Sequence, residues 1–134
     1  MFWGMGRNMD FLIDLTAAPI TTDYGTVLGG PTFQIRKNYA DPGSTMIPYF
    51  QVGFGFILND AYRDETQRAL GHLFEFTQQA EVGVRWMVAA DLSFDVAFGA
   101  QHISNANLSN RNLGVNAFGG QIGLTYYFSG GRQR

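Results

Sequence analysis

The side chains able to do chemistry gather at one point of the sequence, Gln101-His102-Ile103-Ser104-Asn105-Ala106. A serine hydroxyl is a poor nucleophile until a neighbouring base takes its proton, and histidine is the usual base. On an extended chain, residues two apart share a face, with Cα atoms roughly 6.6 Å apart at about 3.3 Å per residue. An imidazole nitrogen on His102 can therefore reach the hydroxyl of Ser104. The same face carries Phe94, Val96 and Phe98 upstream, so two polar groups close an apolar stripe. Polar residues are also what a membrane strand shows where it meets water, and a His-x-Ser pair without a third member is weak evidence by itself.

Six segments alternate with a two-residue period and must position this pair. They are roughly Asn8–Ala18, Thr26–Lys37, Tyr49–Leu58, Leu73–Val88, Leu92–Ser104 and Asn116–Phe128. Their apolar faces are long and rich in phenylalanine, for example Phe50, Val52, Phe54, Phe56 and Leu58. Their other faces mix glycine with charges of both signs, for example Glu75, Glu81, Arg85 and Asp95, which read as ion pairs in a lumen. That pattern suits the filled interior of a small barrel better than a soluble β-sandwich, the competing all-β reading. Gln78 alone breaks the apolar face of the fourth segment, and Gly29-Gly30-Pro31 predicts a bulge or bend in the second.

The connections give an orientation. Ala89-Ala90-Asp91 is a tight turn, whereas Asn59–His72 and Asn105–Val115 are long and polar. Barrels of the outer membrane have short inner turns and long outer loops. Pro19–Gly25 is short for an outer loop and Asn38–Pro48 is long for an inner turn. The last segment, Gln121-x-Gly123-x-x-Tyr126-x-Phe128, looks like the C-terminal signal that marks barrels for outer-membrane assembly, although Ser129–Arg134 follow it. Trp86, Tyr126 and Phe128 are expected at one membrane level, as an aromatic girdle.

Composition excludes several alternatives. The chain of 134 residues is short enough for a single domain, 1–134, and its net charge of −2 gives no footprint for nucleic acid. Without cysteine there is no disulfide scaffold, thiolate metal site or cysteine nucleophile. No apolar run approaches the roughly 18 residues of a spanning helix, which says nothing against spanning strands. The start, Met1–Arg7, has no basic segment, apolar stretch or cleavage site of a secretory signal. His72 and the charges at Asp60, Arg63, Asp64 and Glu65 read as a solvated loop, and Gly53-x-Gly55 has no helix after it to cradle phosphate.

Several stretches together resemble the lipid A 3-O-deacylase (PagL-type) family and its acyloxyacyl-hydrolase relatives. They are His102-x-Ser104-Asn105-Ala106, Asn112-x-Gly114-x-Asn116, Gly6-Arg7-Asn8-x-Asp10-Phe11 and Pro48-Tyr49-Phe50-Gln51-Val52-Gly53-Phe54-Gly55. The resemblance spans nearly the whole chain. It implies an antiparallel, up-and-down transmembrane β-barrel of the eight-stranded outer-membrane type, of which about six strands are visible, with N-terminal strands missing. It implies a serine esterase of the bacterial outer membrane that removes the 3-O-linked 3-hydroxyacyl chain of lipid A in lipopolysaccharide. Ser104 would be the nucleophile and His102 the base. Backbone N–H groups after Ser104, or the side chain of Asn105, would hold the oxyanion. Ala106, Asn112 and Gly114 would shape the loop over the substrate, with Phe98 and Phe118 offering a surface to acyl chains. Asn116 stands where the family places a glutamate that orients the histidine, and Glu75, the nearest substitute, faces inward by parity. No metal or cofactor is called for. A catalytically decayed structural barrel of the same family is the alternative, and a homodimer is left open.

Overall fold

In a computed structural model of the chain, residues 3–4, 8–41 and 43–126 are described, Trp3 and Gly4 by backbone alone. The strands are β1 (Trp3–Gly4), β2 (Met9–Pro19), β3 (Val27–Asn38), β4 (Met46–Asn59), β5 (Phe74–Met87), β6 (Leu92–Ser104) and β7 (Val115–Tyr126). Each pairs antiparallel with the next, in the sheet order β1-β2-β3-β4-β5-β6-β7. The result is an up-and-down sheet curled into a half-barrel. The six long strands fall where alternation predicts them. The short β1, paired with Asp10 and Phe11, adds a strand that alternation over so few residues does not reveal.

Which face is buried decides what kind of sheet this is. The concave face carries Asp10, Thr32, Gln34, Arg36, Gln51, Thr77, Arg85 and Ser93, all buried. The convex face carries large apolar side chains in the open: Phe54 is 67% exposed, Phe118 75% and Ile122 77%. A soluble sandwich buries its apolar faces and wets the polar ones. This sheet does the reverse, as a strand wall between lipid and a polar lumen must.

Charge pairing fills the concave side. Arg85 Nε donates to Asp95 Oδ1 at 3.0 Å, and Arg85 also faces Asp10 at 4.0 Å. Arg36 reaches Asp95 at 3.6 Å and lies over the Tyr49 ring, 3.9 Å from its centroid. Glu81 and Glu75 correct the expectation of ion pairs. Glu81 accepts from the amides of Gln51 (2.8 Å) and Gln121, and Glu75 accepts from the backbone N–H of His72 at 3.0 Å.

The bulge expected at Gly29-Gly30-Pro31 does not occur. β3 keeps one register against β4 on either side, Gly29 opposite Leu58 and Thr32 opposite Gly55. Only the pairing in between lapses, because proline has no N–H to give. A Cβ on Gly30 would run into the carbonyl oxygen of Phe56, so glycine permits the close approach of the two backbones. Trp86 and Tyr126 lie in neighbouring rows of the sheet, opposite Phe94 and Leu92 respectively. Phe128, the last residue of the expected assembly signal, lies outside the described residues.

At the long-loop end the chain builds a small apolar core from Ile57, Ala61, Leu70 and Ile103. Asp60 ties this end together. It accepts from the backbone N–H of Thr26 (2.9 Å) and Val27 (3.1 Å) and from the Thr26 hydroxyl. These bonds hold its carboxyl down from 3.8 to about 2. A depressed acid contributes stability above its unfolded value and loses it as pH falls through the folded one. The tie between the 20–26 and 60–73 loops is therefore expected to survive mild acid and to fail only near pH 2. Asp60→Ala should open it at neutral pH. Trypsin should then cut the detergent-folded variant at Arg63 or Arg68 faster than the unaltered protein, in which the tied loop holds these exposed residues; equal rates of cutting in both proteins would contradict this role.

Candidate active site

β6 and β7 place the polar cluster. Their register sets His102 opposite Asn116, and β5 sets Gln78 opposite His102 and Phe76 opposite Ser104. Side chains alternate on β6, so His102 and Ser104 share the convex face with the exposed Val96 and Phe98, while Ser93, Asp95 and Ile103 are buried on the other. His102 and Ser104 are themselves half-buried. His102 Nδ1 lies 2.8 Å from Asn116 Oδ1. An amide oxygen accepts, so Nδ1 carries the proton and Nε2 keeps the basic lone pair.

Gly114 seals the other side of the pair. A Cβ there would lie 3.1 Å from His102 Cε1 and 3.5 Å from Ser104 Cβ. The imidazole and the serine thus both pack against this one residue. Its φ of +71° lies in the left-handed region, which glycine enters without steric cost. Gly114→Ala adds left-handed strain of about 1–2 kcal/mol and pushes on the imidazole. The tightest clash is with the Ile103 carbonyl oxygen at 2.8 Å, and the imidazole itself need give way only by a few tenths of an ångström, so any hydrolysis by this pair should fall, by less than the roughly 10²-fold of a 1 Å misplacement, with the barrel still folded. An unchanged rate would mean that Gly114 does not position the pair.

The 60–73 loop fixes Gly114 in turn. Leu113 and Gly114 donate backbone N–H groups to the carbonyls of Arg68 and Ala69, both at 3.0 Å. Arg111 donates to the carbonyl oxygens of Asp64 (2.6 Å) and Tyr62 (2.8 Å). These bonds cross from one long loop to the other, so the floor of the site depends on both.

The expected oxyanion residues separate. Asn105 is fully buried, and its side-chain amide donates inward to the Arg111 carbonyl at 2.9 Å. It does not reach the convex face, because strand parity turns it away from Ser104. Its backbone N–H is taken as well, by Asn112 Oδ1 at 2.8 Å. The Asn112 amide is thus fixed at both ends: its oxygen is anchored on the residue after Ser104, and its nitrogen donates to Asn107 Oδ1 at 2.9 Å. Ala106 and Asn107 follow with left-handed φ of 51° and 65°. Such a conformation costs an alanine about 1–2 kcal/mol, and strain of this kind gathers at functional sites. Glu75 is buried on the concave face, away from the imidazole. Phe98 is opposite Val82 and Gly120, and Phe118 is opposite Ala100, so both lie further along the convex face from Ser104.

The family model described as lipid A 3-O-deacylase (PagL) matches residues 5–126. The chain belongs to the lipid A 3-O-deacylase family. Membership covers every strand from β2 to β7 and the whole polar cluster. The deacylase family is one of hydrolases of the outer membrane, and a polar-lined half-barrel with an apolar exterior fits it. No curated protein and no solved structure matches the chain. Within the described residues of this deacylase relative, no three acidic, histidine or cysteine side chains converge to hold a metal ion.

Sequence reasoning missed Arg111, Asp60 and the anchoring role of Asn112. All three act between loops distant in sequence, where side-chain parity carries no signal. Gln78 did leave a signal, as the single polar residue on the convex face of its strand.

Proposed function

We propose that the protein is an outer-membrane serine esterase that hydrolyses the 3-O-linked 3-hydroxyacyl ester of lipid A. The observation that carries this reading is the His102–Asn116 hydrogen bond of 2.8 Å on the lipid-facing side, with Ser104 two residues along the same face. Family membership supplies the substrate class. The ester of lipid A lies where acyl chains meet headgroups. A pair near the long-loop end of a lipid-facing strand meets it there without lifting the lipid out of its leaflet.

His102 Nε2 takes the proton of Ser104 as Oγ attacks the ester carbonyl carbon. The carbonyl π electrons move to oxygen. That oxyanion is held by the remaining hydrogen of the Asn112 amide and by backbone N–H groups of the Ala106–Asn107 turn, donors fixed before reaction. Collapse breaks the bond to the sugar oxygen, which leaves with the proton from His102 as the free 3-hydroxyl. Water, deprotonated by His102, then attacks the acyl-serine. A free 3-hydroxy fatty acid departs and Ser104 recovers its proton. Asn116 keeps the imidazole in the productive tautomer and orientation, as asparagine does in Cys-His-Asn proteases. Being neutral, it stabilises imidazolium less than a carboxylate would, so turnover is slower but not abolished.

Lipid A from cells that make the protein tests this reading. Its mass should fall by one 3-hydroxyacyl chain. An unchanged lipid A profile alongside correctly inserted protein would favour the decayed structural barrel.

A further inference from the structure

The convex face of β5 is apolar except at Gln78. Its neighbours there are Phe76 and Ala80 along the strand, the 67% exposed Phe54 across β4, and His102 across β6. Gln78 is exposed, and among the described residues its side chain makes no hydrogen bond. An unpaired amide on a lipid-facing wall is unfavourable, because hydrocarbon offers it no partner. A leucine would cost nothing there. The position calls for a polar partner that arrives from the lipid side.

The register says where that partner lies. Gln78, His102 and Asn116 form one row, and Phe76, Ser104 and Gly114 the row next to it toward the long loops. An ester seated at Ser104 sends its acyl chain away from the headgroup, toward the middle of the bilayer and therefore over the Gln78 row. Asn116 is already engaged by His102. Gln78 is left to meet a hydrogen-bonding group on the chain one row below the carbonyl. A 3-hydroxyacyl chain carries such a group, a hydroxyl on the carbon two bonds from the carbonyl carbon.

We infer that Gln78 binds the 3-hydroxyl of the scissile acyl chain and selects 3-hydroxyacyl esters over plain acyl esters. This rests on the esterase reading and adds a specificity residue to it. The amide serves as donor or acceptor to the hydroxyl, and Phe76 and Phe54 shield the bond from water.

The test uses detergent-folded protein and two synthetic glucosamine lipids, one bearing 3-hydroxytetradecanoyl at the 3-oxygen and one bearing tetradecanoyl. The unaltered protein should prefer the hydroxylated ester, and Gln78→Met should erase that preference by lowering its kcat/KM roughly 3- to 10-fold, the usual worth of one neutral hydrogen bond. The rate on the plain ester should hold. Methionine suits a lipid-facing site, so the variant should fold, as a heat-dependent gel shift would verify. An unchanged preference in Gln78→Met overturns the inference while the esterase reading stands. Equal losses on both esters make Gln78 a prop for His102 and also overturn it. If the unaltered protein cleaves neither ester, the esterase reading itself fails, and the inference with it.

Discussion

Ser104→Ala is expected to insert and fold like the unaltered protein while losing about 10⁴–10⁶-fold in the rate of lipid A deacylation, the range found when single members of a catalytic triad are deleted. The change removes one oxygen from a half-buried position on the convex face and breaks no hydrogen bond of the described network. Stability should therefore hardly move, and rate and fold separate cleanly. What activity survives comes from the oxyanion donors alone, acting on water. Mass spectrometry of lipid A from cells making each protein reads the effect. Deacylation that persists in Ser104→Ala would remove the nucleophile from this account.

The second large effect lies at Asn116. Its Oδ1 is the partner of His102 Nδ1 at 2.8 Å, and it fixes both ring orientation and tautomer. Asn116→Leu leaves the ring unheld and should cost about 10²–10³-fold, less than losing the charged third member of a serine protease triad, where about 10⁴-fold is lost. Asn116→Glu should act in the opposite direction. A charged acceptor is worth about 1 kcal/mol more than a neutral one, so the rate should rise about fivefold as imidazolium forms beside a carboxylate. Initial rates on the purified variants check both signs. A glutamate variant no faster than the unaltered protein would show that charge at this position does not limit turnover.

Most of the fold is legible in the sequence because side-chain parity is a local property. β2 to β7 each show it, and Phe98 or Phe118 could not lie on a buried face without forcing Asp95 or Gln121 outward. The same parity places His102 and Ser104 together on the convex side. It also turns Asn105 inward, where its amide donates to the Arg111 carbonyl, a consequence of alternation that the sequence reading did not draw. Other features are out of reach of parity. The bonds from Arg111 to the 60–73 loop span more than forty residues. The tie from Asp60 to Thr26 spans thirty-four. Both join loops whose approach depends on the curl of the whole sheet. Gly29-Gly30-Pro31 misleads for a different reason: a glycine can signal a bulge or a close backbone approach, and only the register against β4 tells them apart.

The central claim is that Ser104 is an activated nucleophile facing lipid. A long-chain alkyl fluorophosphonate tests it most directly, since only a serine with a working base displaces the fluoride. Peptide mapping of the detergent-folded protein after incubation should find the phosphonyl group on Ser104, and replacing His102 with glutamine should abolish the adduct. No adduct, or one on another residue, would contradict the account.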